Sequence, residues 1–261
     1  MNRRSGRPKL GYHPAVITYV DILGFKELIH SESPGRISKI LRLLREVVEP
    51  DEGSKELHRI VFRNFSDLVL RYAPLDTESN LDQPSGLLSS EIFSLVQAQN
   101  QLIEEGIILR GGMTVGLIRS SRGVIYGPGL VRAYELERES DYPRILLDPN
   151  MFDSLRENPL LRLHDFEREK AEISTMVHIG KHGTFIDYLG GISWEFDYPE
   201  VGYVTLLRTH RDFIRRNLLK YRENRNVHRK YKWLAAYHNH TVREMIRSGF
   251  FEQRELDRGY A

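Results

Sequence analysis

The sequence predicts an α+β sandwich, with a mainly antiparallel sheet, helices on one face, and a C-terminal helical extension. Three observations predict it. Ala15-Val-Ile-Thr-Tyr-Val-Asp-Ile-Leu-Gly-Phe25 is an apolar, β-branched run that reads as a buried strand. Leu57 to Tyr72 reads as two strands flanking a polar turn, Asn64 to Asp67, the signature of a hairpin. Segments of helical period lie between such runs, giving the order strand, helix, hairpin, helix, strand, helix, strand. The Asp21 strand and the Asp67 hairpin are expected at the centre of the sheet.

Each element has a local reason. After Phe25, Leu28 and Ile29 form an apolar patch, Ser33-Pro34-Gly35 breaks the chain, and Ile37, Ile40, Leu41, Leu44 and Val48 follow helical spacing. Asp76 to Ser85 is polar and is expected to be a surface loop. Ser89 to Glu105 is an amphipathic helix ended by Gly106. Ile107 to Arg119 reads as a strand, with a short partner at Val124 to Tyr126. Gly127-Pro-Gly129 opens a helix from about Leu130 to Glu139, since proline suits a first turn. Arg144 to Leu147 is a further short strand.

Residues 149 to about 200 are less patterned. Glu167 to Lys170 reads as a solvated charged patch, and Thr184 to Leu189 as a strand. Thr205 to about Arg222 and Asn226 to about Arg247 form two helices or one bent helix. Their basic residues, Arg211, Arg215, Arg216, Lys220, Arg225, Arg229, Lys230 and Lys232, alternate with Phe213, Leu218, Leu219, Tyr231, Trp233, Leu234 and Tyr237. That interleaving predicts a packed helix with a solvated basic face. Nucleic acid or acidic lipid is the alternative partner for such a stretch.

Composition narrows the function classes. The chain has 261 residues, 40% hydrophobic and 28% charged, as in ordinary globular proteins. A net charge of +2 gives no bulk argument for nucleic-acid binding. The absence of cysteine excludes disulfides and thiolate-bound zinc and fits a reducing, cytoplasmic setting. No apolar run reaches the length of a membrane span, and the basic residues 1 to 12 read as a loose tail without a signal core.

Two acidic residues carry chemistry. Asp21 sits at the mouth of a buried strand, where a carboxylate suits a hard cation such as Mg²⁺ or Mn²⁺. Gly24 beyond it lets the backbone approach a phosphate. The alternative is that Asp21 caps a helix starting near Gly24. Asp67 stands at the tip of the hairpin. Tip carboxylates on neighbouring strands could hold two metal ions between them, as in phosphoryl and nucleotidyl transfer.

These stretches resemble a known family. Asp21-Ile-Leu-Gly-Phe25, Ser66-Asp67 on a hairpin, and Leu109-Arg-Gly-Gly-Met-Thr-Val-Gly116 leading to Gly127 and a helix are similar, in the same order, to the motifs of class III nucleotide cyclases. The likeness runs over about residues 13 to 140. It departs from the purine cyclases at three positions. Arg63 stands where many adenylate cyclases have a base-reading lysine. Val131 and Glu135 stand where that family places its ribose asparagine and transition-state arginine. Asp21 to Lys26, Ala133-Tyr-Glu-Leu-Glu137 and Lys230 to Asn239 resemble the pyrimidine cyclases of bacterial Pycsar anti-phage systems.

The resemblance implies a class III cyclase-like, ferredoxin-type domain over residues 13–200. Residues 201–261 would form an extension packing on the core or on a dimer partner. It implies conversion of UTP, or CTP, to a 3′,5′-cyclic monophosphate and pyrophosphate, with two Mn²⁺ or Mg²⁺ ions per site held by Asp21, Asp67 and the Ile22 carbonyl. Backbone amides from Leu23, Gly24 and Phe25 would cradle phosphate. The expected assembly is a homodimer with sites at the interface, where Arg63 reads the base in the partner's site and Arg132 replaces the missing transition-state arginine. The product would act on a separate cyclic-nucleotide-responsive effector, with neither nucleic acid nor membrane as partner. Arg110 is expected to be structural or phosphate-facing. A catalytically inactive nucleotide-binding module is the alternative that Val131 and Glu135 favour.

Overall fold

The computed structural model describes residues 11–180, 183–198, 201–252 and 256, so most of the expected tail lies outside the described residues. Strand β1 (His13–Ile22) leads through α1 (Phe25–Ser31), α2 (Pro34–Val48) and α3 (Glu52–His58) to β2 (Val61–Phe65) and β3 (Leu68–Pro74). Helices α4 (Glu78–Asp82) and α5 (Leu87–Glu104) return the chain to β4 (Leu109–Ser121), onto which the short β5 (Val124–Tyr126) folds back. Then come α6 (Pro128–Glu139), β6 (Ile145–Leu147), α7 (Met151–Glu157), α8 (Phe166–Thr175), β7 (Val177–Gly180) and β8 (Gly183–Ile186). Two long helices follow, α9 (Gly202–Lys220) and α10 (Arg225–Arg247).

The main sheet runs β2-β3-β1-β4-β6-β8-β7, with β5 attached to β4. All its pairings are antiparallel except β4 with β6. The β2-β3-β1-β4 half is the split β-α-β arrangement of a ferredoxin-type sandwich. The molecule is thus α+β with a mainly antiparallel sheet. β1 is central, as expected, but only β3 of the hairpin is interior, because β2 forms the edge.

Alternation along β1 divides the core. Val16, Val20 and Ile22 enter the main apolar cluster with Ile40, Leu44 and Val48 of α2 and Ile92, Leu95 and Val96 of α5. Each such side chain, fully buried, contributes about 1.5–3 kcal/mol. Ala15 and Ile17 face the other way, into a small cluster with Tyr72, Ile118 and Ala133. Helix α6 therefore lies on the face opposite α2 and α5, a departure from the expected one-face arrangement. Small residues bring it there. A Cβ on Gly116 would stand 2.7 Å from the Gly129 Cα, and one on Gly112 would meet the Ala133 carbonyl at 2.4 Å.

Four local expectations are corrected. The strand before the hairpin begins at Val61, not Leu57, because Asp51 caps a helix by accepting from the Ser54 N–H. Residues 76–85 are not all loop. Thr77 caps α4, and the buried Asn80 donates to the carbonyls of Leu75 and Leu160. The Glu167–Lys170 patch is not wholly solvated, since Glu169 is buried and accepts from Ser89 Oγ and from the backbone of Leu163 and His164. Strand β7, pairing with β8, was not expected.

The C-terminal basic stretch is two helices. Tyr231, Leu234 and Tyr237 of α10 and Leu207, Phe213 and Ile214 of α9 join the main core. The helical period of apolar residues buries one side and leaves basic residues on the other. Their packed seam includes polar groups. His210 is buried, with His238 Nδ1 3.0 Å from its Nδ1 and the Tyr188 hydroxyl 3.0 Å from its Nε2. No helix among the described residues is long and apolar enough to cross a membrane.

Candidate active site

Asp21 is placed by strand order. It is the penultimate residue of β1, opposite Arg110 of β4, on the face that carries α6. On the other side of β1 runs β3, paired as far as Val20 with Val69. Continuing that antiparallel register past Val69 brings the hairpin tip to the end of β1. The tip is a two-residue turn, Ser66-Asp67, with Ser66 at φ 58°.

The two carboxylates therefore share a cleft of about 780 Å³ including its open mouth. Its floor is Asp21, Ile22 and Asp67. One wall is the β1–α1 connection, Leu23 to Glu27, and the other is Arg110 with Lys230. Gly24 takes φ 76° at the N-cap of α1, a left-handed conformation that suits glycine, and no side chain caps that helix. The first N–H groups of α1 thus lack a side-chain acceptor, and their residues line the same cleft.

Burial raises the Asp67 carboxyl above the usual carboxylate range. The field of Asp21 pushes it further, while backbone N–H groups of Asp67 and Ile22 pull the other way. The charge of Asp21 thus makes that of Asp67 costlier. Arg110 supplies the compensation. Its Nη2 lies 2.9 Å from Asp21 Oδ2 and 2.5 Å from Glu137 Oε1 on α6. Burial opposes the Arg110 charge, but the hydrogen bond and field of Asp21, with Glu137, hold the guanidinium above its ordinary value.

Lys230 is a cleft residue that sequence reasoning did not single out. It comes from α10, and burial together with the Arg110 charge lowers its ammonium pKa. In the sequence it looks like its basic neighbours Arg229 and Lys232. Only the rotation of α10, fixed by Tyr231 and Leu234 in the core, turns it toward the acidic pair.

The remaining expected site residues, Arg63 and Arg132, lie elsewhere in the chain. Arg63 is exposed on edge strand β2 and donates to the neighbouring Phe62 carbonyl. Arg132 does not line the cleft. Its Nε lies 3.0 Å from Asp148 Oδ2, and its Nη1 is 2.9 Å from Glu139 and 3.6 Å from Glu135. Three carboxylates thus hold the Arg132 guanidinium.

The donor set fits a divalent cation. Two mutually repelling carboxylates at a cleft floor match a magnesium-type site, which takes one or two carboxylates and completes its shell with water and phosphate. No group of three or more histidine, cysteine or acidic residues that could enclose a metal occurs among the described residues.

No protein-family model matches the chain, and no curated protein does. Solved structures resemble it at low identity. The guanylyl cyclase Cya2 superposes with a TM-score of 0.42 at 14% identity, over 65% of this chain and 82% of that one. A guanylyl cyclase domain of the RhoGC fusion protein from the aquatic fungus Blastocladiella emersonii gives 0.41 at 13%, over 56% and 86%. A bacterial light-regulated adenylyl cyclase gives 0.42 at 10%, over 77% and 98%. Likeness this remote does not decide what the chain does. That question rests on the residues of the cleft.

Proposed function

We propose that the chain is a nucleotide cyclase, converting UTP to 3′,5′-cyclic UMP and pyrophosphate, with CTP as the alternative substrate. The observation that carries this reading is the meeting of Asp21 and Asp67 at one cleft floor, beside the uncapped start of α1. Two Mn²⁺ or Mg²⁺ ions held by Asp21, Asp67 and the Ile22 carbonyl would lower the pKa of the substrate 3′-hydroxyl and stabilise the leaving pyrophosphate. The protein's own groups bind and orient. Backbone amides from Leu23 to Phe25 take phosphate oxygens, and Lys230 faces the same space as a cation.

The reading includes a homodimer with sites at the interface. Arg63 and the largely exposed Phe65 lie on edge strand β2, where a second protomer would cover them. There Arg63 would read the base in the partner's site, and Arg132 would reach a transition state only across that interface. A role as messenger synthase in bacterial anti-phage defence, acting through a cyclic-nucleotide-responsive effector, belongs to this proposal through the sequence resemblance alone.

The test is incubation with each of the four ribonucleoside triphosphates and Mn²⁺, with mass analysis of products. A cyclic pyrimidine monophosphate is expected. A cyclic purine would retain the cyclase and remove the pyrimidine preference. A second reading, an inactive nucleotide-binding module, is favoured by Arg110, which already occupies the Asp21 carboxylate. It predicts metal-dependent nucleotide binding without product.

A further inference from the structure

A second cavity, sharing no lining residue with the acidic cleft, lies between β6, β7, β8 and α10 and encloses about 530 Å³ including its mouth. Its polar lining is Arg144, His178 and His240, and its apolar walls include Phe185, Trp233 and Tyr237.

Arg144 is the anomaly. It is only 7% exposed, its Nε has no hydrogen-bond partner, and among the described residues no carboxylate forms an ion pair with it. The neighbouring acids are engaged elsewhere. Asp141 faces Arg229 at 3.4 Å, and Asp187 accepts from the Tyr237 hydroxyl at 2.6 Å and the Gly190 N–H at 3.0 Å. The guanidinium instead lies 5.5–5.6 Å from the ring centres of Tyr142, Phe185 and Trp233. Ring faces stabilise a cation without satisfying its N–H groups. A buried charge so placed has no carboxylate at ion-pair distance among the described residues; burial lowers its pKa, and the fields of Tyr142 and Asp141 offset this only in part.

The surroundings indicate what the counter-ion carries. Two imidazoles beside the guanidinium offer more than one further N–H, which suits the oxygens of a phosphate better than the two of a carboxylate. The aromatic walls suit a flat ring at the open mouth. We propose that this cavity binds a phosphate group carried on a flat ring, as in a nucleoside monophosphate, with Arg144 and the two histidines on the phosphate and the ring at the aromatic mouth, where Trp233, stacked on Tyr142 and Tyr237, senses it. The proposal stands apart from the cyclase reading.

Trp233 can report it. The chain has two tryptophans, and the other, Trp194, stacks on Phe93 in a different place. In a Trp194→Phe background, fluorescence is followed while each of the four 5′-nucleoside monophosphates, or inorganic phosphate, is added without divalent metal. At least one monophosphate is expected to give a saturable change, weakened about tenfold or more by Arg144→Gln and retained in Asp21→Asn. His240→Ala, a change at a partly exposed position, should weaken it several-fold even if Arg144→Gln does not fold. No saturable change with any monophosphate overturns the proposal, as does equal affinity in His240→Ala. Loss in Asp21→Asn with retention in Arg144→Gln would place the nucleotide in the acidic cleft and also overturn it. Equal affinity for inorganic phosphate would remove the ring-bearing ligand.

Discussion

Arg110 grips Asp21 with two nitrogens, Nη2 at 2.9 Å and Nε at 3.3 Å, from the adjacent strand. The same guanidinium reaches Glu137 of α6. One cation thus balances two carboxylates, and Asp67 stands close enough to feel the field of Asp21. In the proposed reaction a divalent ion at Asp21 would compete with Arg110, which keeps Glu137 as a second anchor.

Arg110→Ala is therefore expected to destabilise the fold by about 2–3 kcal/mol, because it leaves buried carboxylates uncompensated. Added Mn²⁺ should raise the Tm of this variant more than that of the parent. Thermal unfolding with and without the metal checks both statements.

Asp67 and Asp21 separate stability from activity. The proposed reaction should fall at least about 100-fold in Asp21→Ala or Asp67→Ala, as expected when a metal ligand is lost. Asp67→Asn should at the same time raise the Tm at neutral pH in metal-free buffer. The sign follows from the raised Asp67 pKa. Between the ordinary carboxylate value and that raised value the folded state binds more protons, so stability declines as pH rises, and the penalty persists above. The amide removes it. A lower Tm in Asp67→Asn would contradict the argument.

The histidine seam sets the acid limit. Burial, then the Arg211 charge, lowers His238 to about 4, and burial, then His238, puts His210 well below its usual value. Both are neutral in the fold. Unfolding lets each take a proton below about pH 6.5, so stability should be full above that pH and fall as pH drops toward 4. Denaturation midpoints across this window check it, and His238→Gln should flatten the profile.

Gly116→Ala probes the seating of α6. The added methyl would meet the Gly129 Cα at 2.7 Å, so helix and strand must separate. A loss of about 1–3 kcal/mol is expected, measured by chemical denaturation. Because α6 carries Glu137, the Arg110 anchor should loosen with it.

Much of this was legible in sequence. The β-branched run ending in Asp21, the hairpin tip at Asp67 and the glycines before α6 each announce themselves through local chemistry. Their meeting in one cleft was expected only because the order of elements and a family resemblance suggested neighbouring strands. Lys230 was not legible, because a lysine among basic neighbours carries no mark of the direction it faces. Glu169 was hidden likewise, since a charged run looks solvated until a buried hydroxyl and two amides converge on one of its members. For Arg132 the sequence position suggested a catalytic cation, and the ion pair with Asp148, on a separate strand end, was not legible in it.

By itself, the sequence determined the main strands and helices, β1 to β6 and the long helices α2, α5, α6, α9 and α10, and that two carboxylates stand at strand ends. Those properties depend on short-range periodicity and turn chemistry. Only the tertiary structure decided that α6 crosses to the second face, that Arg110 ties Asp21 to Glu137, and that α10 delivers Lys230 to one cavity and Trp233 to another. Those outcomes depend on packing between segments far apart in the chain, where the rotation of a helix decides which charge meets which.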